Sequence, residues 1–196
     1  MTLEESGVDA VVAQGSEAGG HRGTFAAAVE SSLIGSMALI PQVVDAVKVP
    51  VIASGGIMDG RGIAAALALG AVAVQMGTAF LAARESGASP SYKRRVLDAA
   101  ESDLILTRSF SGRWARGLSN RFIRDFESRV AEPLSYPWQN ALTREVRHAA
   151  AKRQDAEYLS LWAGQGTRMA REESAGETVR RLAEELEQTK QRLARS

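Results

Sequence analysis

The sequence predicts an α/β fold in which consecutive βα units build a parallel sheet and an α-helical region follows. Short runs of Val, Ala and Ile alternate with longer helical patterns through residues 1–88, as in successive βα units. Beyond Ala83 the pattern changes to amphipathic helical segments separated by polar connections. No further strand is expected in that second region.

Three apolar runs predict the strands, over residues 9–14, 50–54 and 71–75. Each run is continuous rather than alternating, as expected of strands that are covered on both faces. Glycines follow each run closely in the sequence. The runs therefore predict three parallel strands that end in glycine-containing loops.

Two crossover helices are predicted to connect these strands. Pro41 is expected near the start of the first helix, where its missing N–H has no intrahelical partner to lose. Asp59 is expected to cap the second helix, which ends at Gly70. The predicted apolar faces consist of Ile40, Val43, Val44 and Val47 in the first helix and of Ile63, Leu67 and Ala68 in the second.

Helices are also predicted throughout the second region. Ser89 and Pro90 begin one helix as cap and first-turn proline, and Ser174-x-x-Glu177 is a capping box for the last. A polar loop is expected over residues 107–119. The predicted apolar faces are Tyr92, Val96, Leu97 and Ala100, then Leu142, Val146 and Ala149, and finally Val179, Leu182, Leu186 and Leu193.

Composition excludes several classes of protein. The 24 Lys and Arg residues balance 23 Asp and Glu residues, for a formal net charge of +1, which disfavours a nucleic-acid partner. The chain has no cysteine, which excludes disulfides, thiolate nucleophiles and iron–sulfur clusters, and no metal-ligand set is predicted. Neither a signal peptide nor an apolar membrane span is visible. We therefore expect a cytoplasmic protein without membrane contacts.

Glycine-rich loops after the three predicted strands are the candidate ligand-binding elements. The first is Gln14-Gly-Ser-Glu-Ala-Gly-Gly-His-Arg-Gly23, the second runs from Ser54 to Gly62, and the third is Gln75-Met-Gly-Thr78. Two adjacent loops of this type form the usual phosphate cradle of a parallel barrel, built from backbone N–H groups. A phosphorylated cofactor is the natural ligand, and His21 is then a candidate general base.

Structural explanations compete with each of these assignments. His21 could simply cap a carbonyl, the glycines could serve only tight turns, and Met58 and Met76 are more typical of packing. His148 is expected to be exposed. The tryptophans at 114, 138 and 162 are expected to anchor packing, and the arginines at 108, 113, 116, 121 and 124 are expected to be solvated or paired with acids.

In order and spacing, the three glycine loops resemble the last three strand ends of the FMN-dependent nitronate monooxygenases, formerly called 2-nitropropane dioxygenases. The tail is similar too, through Thr107-Arg-Ser-Phe110, Gly112-Arg, Arg116-Gly, Asn120-Arg-Phe122 and Leu161-Trp-Ala-Gly-Gln165. The resemblance implies that residues 1–88 are the last three βα units of a TIM (β/α)₈ barrel. It further implies a lid-like helical substrate region over 89–173, and a C-terminal helix over 174–196 that packs back on the barrel.

The resemblance also implies site roles and chemistry. FMN would oxidise a nitronate or nitroalkane with dioxygen to a carbonyl compound and nitrite, without consuming a nicotinamide. His21 would be the catalytic base, and it would matter most for neutral nitroalkanes. The implied FMN contacts are Gln14, Gly19, Gly56, Gln75, Met76, Gly77 and Thr78.

This chain has no counterpart to the first five strands of such a barrel, which typically needs about 250 residues. Two alternatives are therefore open. The chain could be a non-catalytic fragment or an assembly partner, completed by a complementing chain or as a homo-oligomer. It could also belong to a related FMN-dependent NAD(P)H reductase acting on enoyl thioesters or quinones.

Overall fold

The computed structural model of the protein describes residues 3–24, 28–130 and 132–195. Its strands are β1 (Val11–Gln14), β2 (Gly20–His21), β3 (Val51–Ser54), β4 (Ala73–Gln75), β5 (Leu104–Thr107) and β6 (Ala115–Leu118). Its α-helices are α1 (Ser36–Ala46), α2 (Gly60–Ala68), α3 (Thr78–Leu81), α4 (Pro90–Asp98), α5 (Arg121–Glu127), α6 (Trp138–Leu142), α7 (Arg144–Lys152) and α8 (Ala175–Leu193).

The first sheet confirms the three predicted strands. Its order is β1-β3-β4, and both pairs are parallel. Ala53 lies at the centre of the sheet and is fully buried, next to Ala13 of β1 and Val74 of β4. The fold is mixed α/β as predicted, but the expected coverage on both faces is not observed in the described residues, because burial alternates along β3 and Val12 of β1 is 45% exposed.

Helix α1 covers one face of this sheet. Ile40 is 1% exposed, and the predicted partners Val43, Val44 and Val47 pack around the same core. The expected position of Pro41 near the helix start is wrong, because α1 begins at Ser36 and Pro41 lies inside it. The carboxylate of Glu17 accepts hydrogen bonds from the backbone N–H of Ser36, which starts the helix earlier than local sequence indicates.

Helix α2 begins as predicted. The Asp59 side chain accepts hydrogen bonds from the backbone N–H groups of Arg61 and Gly62, which confirms its role as N-cap. Ile63 packs against the core of the first sheet, whereas Ala68 is exposed, so the predicted face is only partly correct.

A second sheet contradicts the expectation that no strand follows Ala83. It is antiparallel with the order β2-β6-β5, and β6 lies inside the stretch predicted as a polar loop. Strand β6 has the sequence Ala-Arg-Gly-Leu, without a β-branched residue, yet every one of its residues is buried. Pairing with two other strands, rather than local propensity, makes this segment extended.

The helical region agrees with the sequence at its helix starts and disagrees on some faces. The Ser89 hydroxyl caps α4, and Val96 in that helix is completely buried. The predicted face of Leu142 and Val146 is wrong, because these side chains are 64% and 41% exposed. Trp138 is 68% exposed, contrary to its expected role as a packing anchor, while His148 is exposed as predicted.

Helix α8 packs against α2. The capping box of Ser174 and Glu177 is confirmed. The predicted leucine stripe is partly wrong: Leu182 is buried, but Val179 and Leu193 are more than half exposed. The helices approach so closely that a Cβ on Gly60 would lie 2.3 Å from backbone atoms of α8, so this approach requires glycine at position 60.

Over the described residues, no helix combines the length and apolar character required to cross a membrane. The proposed boundaries after residues 88 and 173 stay predictions.

Candidate functional site

The loops after β1, β3 and β4 meet around one cavity of about 340 Å³. Parallel strands present their carboxyl ends at the same edge of a sheet, which explains why these loops converge. Gly56 and Gly77, which belong to different loops, therefore share this cavity. Its lining includes all seven residues that the resemblance implied as cofactor contacts, namely Gln14, Gly19, Gly56, Gln75, Met76, Gly77 and Thr78.

Backbone amides in this lining are free to bind a ligand. Within the described residues, no acceptor takes a hydrogen bond from the N–H of Gly56 or Gly77. A Cβ built on Gly77 would meet no atom within 4 Å, so this part of the cavity is open space. Gly56 has φ +72°, a left-handed conformation that side chains disfavour. Free donors beside open space fit a phosphate group.

The Gln14 side chain closes the loop that follows β1. Its Nε2 donates to the carbonyl of His21 at 3.1 Å, and its Oε1 accepts from the backbone N–H of Gly23 at 2.9 Å. At the start of the loop, the N–H of Gly15 donates to the carbonyl of Ser54 in β3. The loop therefore has a defined shape without a ligand.

Two buried arginines donate hydrogen bonds to backbone carbonyls of the same loop. Arg22 donates to the carbonyls of Gly15 and Ala18, at 2.8 and 3.2 Å, and Arg116 donates to that of Ser16 at 3.1 Å. Burial lowers the pKa of both guanidinium groups. The expectation that Arg116 is solvated or paired with an acid is wrong, because it is only 8% exposed and its acceptor is a carbonyl.

His21 lies beside the cavity rather than in its lining. It follows Gly20, which lines the cavity, and neighbouring strand residues point to opposite faces. Its Nε2 is 2.8 Å from the Ser111 hydroxyl, and its ring lies edge-on to Trp162, another lining residue. The ring therefore borders the cavity through Trp162.

The surroundings of His21 favour a neutral imidazole. Desolvation by the surrounding protein lowers the pKa of His21, and the positive charges of Arg113 and Arg147 lower it further. Ser111 donates its hydroxyl proton to the carbonyl of Arg113 at 3.1 Å. A hydroxyl has one proton, so this bond is compatible with the tautomer in which Nε2 of His21 donates to Ser111 and Nδ1 carries the lone pair of a base.

Segment 161–167 completes the cavity, and the sequence had offered it only as part of a resemblance. Trp162, Gly164 and Gly166 line the cavity, and so does Tyr92 of α4. The Tyr92 hydroxyl donates to the carbonyl of Trp162 at 2.5 Å, and burial raises the pKa of this phenol. Tyr92 had been assigned only to the apolar face of its helix. The Trp-Ala-Gly-Gln-Gly sequence was the available signal.

No group of three or more His, Asp or Glu side chains in the described ranges could hold a metal ion.

Comparison with known proteins gives a consistent result. The model of the family described as "Nitronate monooxygenase" matches residues 1–185. A probable nitronate monooxygenase of Bacillus subtilis (strain 168) is 48% identical over 186 residues, which are 94% of this chain and 54% of that protein. The chain therefore spans about half the length of the curated relatives that it matches.

Two solved structures are similar to this chain over nearly its whole length. A nitroalkane oxidase from Streptomyces ansochromogenes superposes with a TM-score of 0.91 at 50% identity, over 97% of this chain and 55% of the oxidase chain. FabK from Thermotoga maritima superposes with a TM-score of 0.80 at 35% identity, over 98% of this chain and 58% of that chain.

Proposed function

Because this chain belongs to the nitronate monooxygenase family, we propose that it carries the phosphate-binding half of an FMN-dependent nitronate monooxygenase. The reaction would convert nitronates and nitroalkanes with dioxygen into carbonyl compounds and nitrite. One observation carries the proposal: Gly56 and Gly77, whose amides have no acceptor among the described residues, line a cavity whose wall, at Trp162, contacts His21.

The residues present fit a flavin phosphate. The amides of Gly56 and Gly77, together with the Thr78 hydroxyl, would hold the phosphate, while Gln14 and Gly19 would contact the ring side. The cavity of about 340 Å³ falls in the range of ligand pockets, which is about 300–1,000 Å³. When bound, FMN supplies the one-electron chemistry and the reaction with dioxygen.

His21 would remove the acidic proton next to the nitro group of a neutral nitroalkane. Its lowered pKa favours the base form of the imidazole, and in the tautomer in which Nε2 donates to Ser111 the free nitrogen would be Nδ1. A nitronate has already lost this proton, so its oxidation would not require the base. Arg113 and Arg147 place positive charge near the imidazole and would favour an anionic substrate.

The first sheet is proposed to be part of a (β/α)₈ barrel. Within the described residues, β1 and β4 are its edges, and Val12 in β1 and Val72 directly before β4 are 45% and 63% exposed. Unpaired edges and exposed apolar side chains would be covered by the strands that the longer relatives have in addition. Those strands could come from a complementing chain or from the remainder of a longer protein.

The decisive experiment is an assay with a nitronate and dioxygen in the absence of nicotinamide, combined with the visible spectrum of the purified protein. A yellow protein that releases nitrite supports the proposal. NADH oxidation without nitrite would indicate an NAD(P)H reductase of similar fold instead. A colourless protein that aggregates on size-exclusion chromatography would indicate a non-catalytic fragment.

A further inference from the structure

We infer that Thr78 is a positioning residue, which links the proposed phosphate cradle to segment 161–167 and thereby to the cavity wall that His21 touches. The inference rests on the proposed function. It assigns Thr78 a second task besides contact with the cofactor, namely to hold a segment that lies 86 residues away in the sequence.

Thr78 contacts the centre of this segment directly. The backbone N–H of Gly164 donates to the Thr78 hydroxyl oxygen at 2.9 Å. Gly164 is buried, and a Cβ there would lie 2.7 Å from the carbonyl oxygen of Glu17. Loss of the Thr78 hydroxyl would take away the acceptor that the structure gives to this buried amide.

The other contacts of segment 161–167 lie on either side of Gly164. The N–H of Gln165 donates to the carbonyl of Glu17 at 2.9 Å, and the Thr167 hydroxyl donates to that of Val96 at 3.2 Å. Thr78 thus joins this segment to the third glycine loop, whereas the other hydrogen bonds join it to the first loop, to α4 and, from the N–H of Leu118 to the carbonyl of Leu161, to β6.

The Thr78 hydroxyl has a proton left to donate. Its oxygen accepts from Gly164, and no residue that the structure describes accepts the proton in return. Thr78 lines the cavity, so a phosphate bound at Gly77 could take this proton. Donation to an anion would polarise the hydroxyl and strengthen its bond from Gly164, because linked hydrogen bonds reinforce one another.

The position of Thr78 also bears on His21, the proposed base, through Trp162. Trp162 lies two residues before Gly164, lines the cavity and contacts the imidazole of His21 with ring centroids 5.4 Å apart. Phosphate bound at one end of the cavity would therefore steady the wall at the other end. Cofactor binding and the arrangement of the base would be coupled through one hydroxyl group.

Hydrogen exchange of the Gly164 amide in the ligand-free protein tests the positioning role. Thr78→Val keeps the shape of the side chain and removes the hydroxyl, whereas Thr78→Ser keeps the hydroxyl. Thr78→Val should speed exchange at Gly164 by about fivefold, the effect of one ordinary hydrogen bond, with less change at Gln165. Thr78→Ser should leave it near wild type. An unchanged rate at Gly164 in Thr78→Val would overturn the inference.

A second measurement tests the coupling, with FMN binding followed separately by flavin fluorescence. FMN should slow exchange at Gly164 in the wild type, in Thr78→Ser and in the control Thr167→Val, which loses a hydroxyl remote from the cradle. It should fail to do so in Thr78→Val. Equal slowing in Thr78→Val would disprove the coupling and leave the cofactor site standing. Absence of FMN binding to the wild type would refute the proposed function, while the ligand-free experiment would still decide the role of Thr78.

Discussion

The indole of Trp162 lies edge-on against the imidazole of His21, with ring centroids 5.4 Å apart and ring planes at 60°. Trp162 belongs to segment 161–167, which lines the cavity. His21 belongs to the glycine-rich stretch that follows β1. Their contact places the proposed base at the border of the proposed cofactor cavity, where Ser111 holds one of its nitrogens.

Replacement of His21 should separate two classes of substrate. His21→Asn is expected to lower kcat/KM for a neutral nitroalkane by roughly 10²- to 10⁴-fold, the usual contribution of a general base. Oxidation of the corresponding nitronate should change far less, because no proton has to be removed. Nitrite release measures both. His148→Asn, at the exposed histidine of α7, is the control, and an equal loss with both substrates would argue against a base.

The charge of Arg147 should be measurable in the pKa of His21. Arg147→Gln removes a nearby positive charge, so the pKa of His21 should rise, while desolvation should still hold it below the ordinary value of about 6.5. The acidic limb of the activity profile with a neutral nitroalkane should move to higher pH in parallel. NMR titration of the imidazole tests this. Arg153→Gln, an exposed charge outside these interactions, should cause no shift.

Glycine at position 77 should be required for cofactor binding but not for folding. Gly77→Ala places a methyl group in the open space of the cradle and should weaken FMN binding on the order of tenfold or more, about 1.4 kcal/mol. Gly87→Ala is a matched control, because a Cβ there also meets no atom within 4 Å and Gly87 lies outside the cavity lining. Fluorescence titration should show normal affinity in Gly87→Ala, and equal affinity in both variants would contradict the proposed cradle.

The cap of α2 should contribute to stability through its hydrogen bonds. Asp59→Ala is expected to lower the free energy of unfolding by about 1 kcal/mol, the typical effect of losing an N-cap. Asp59→Asn keeps an acceptor for Arg61 and Gly62 and should cost less. Urea denaturation compares the two. If the variants are equally destabilised, the surface ion pair with Arg61, rather than the cap, is the stabilising element.

The sequence by itself determined the features that depend on near neighbours. Continuous apolar runs predicted the parallel strands, and cap residues such as Asp59, Ser89 and Ser174 predicted helix starts, because a cap bonds amides two or three residues away. The glycine-containing loops were predicted from the same pattern, because each comes directly after an apolar run. These interactions are local, so they can be recognised in the sequence without knowledge of the fold.

Only the tertiary structure decided what completes the site. His21 and Ser111 are 90 residues apart in the sequence, and Thr78 and Gly164 are 86 apart, so no periodicity could pair them. Strand β6 is extended because two other strands flank it, although its own residues do not favour a strand. Burial of polar groups such as Arg116 likewise depends on acceptors from distant loops. Contacts between distant segments arise from packing of the whole chain, and they fix where the proposed base and the cavity wall lie.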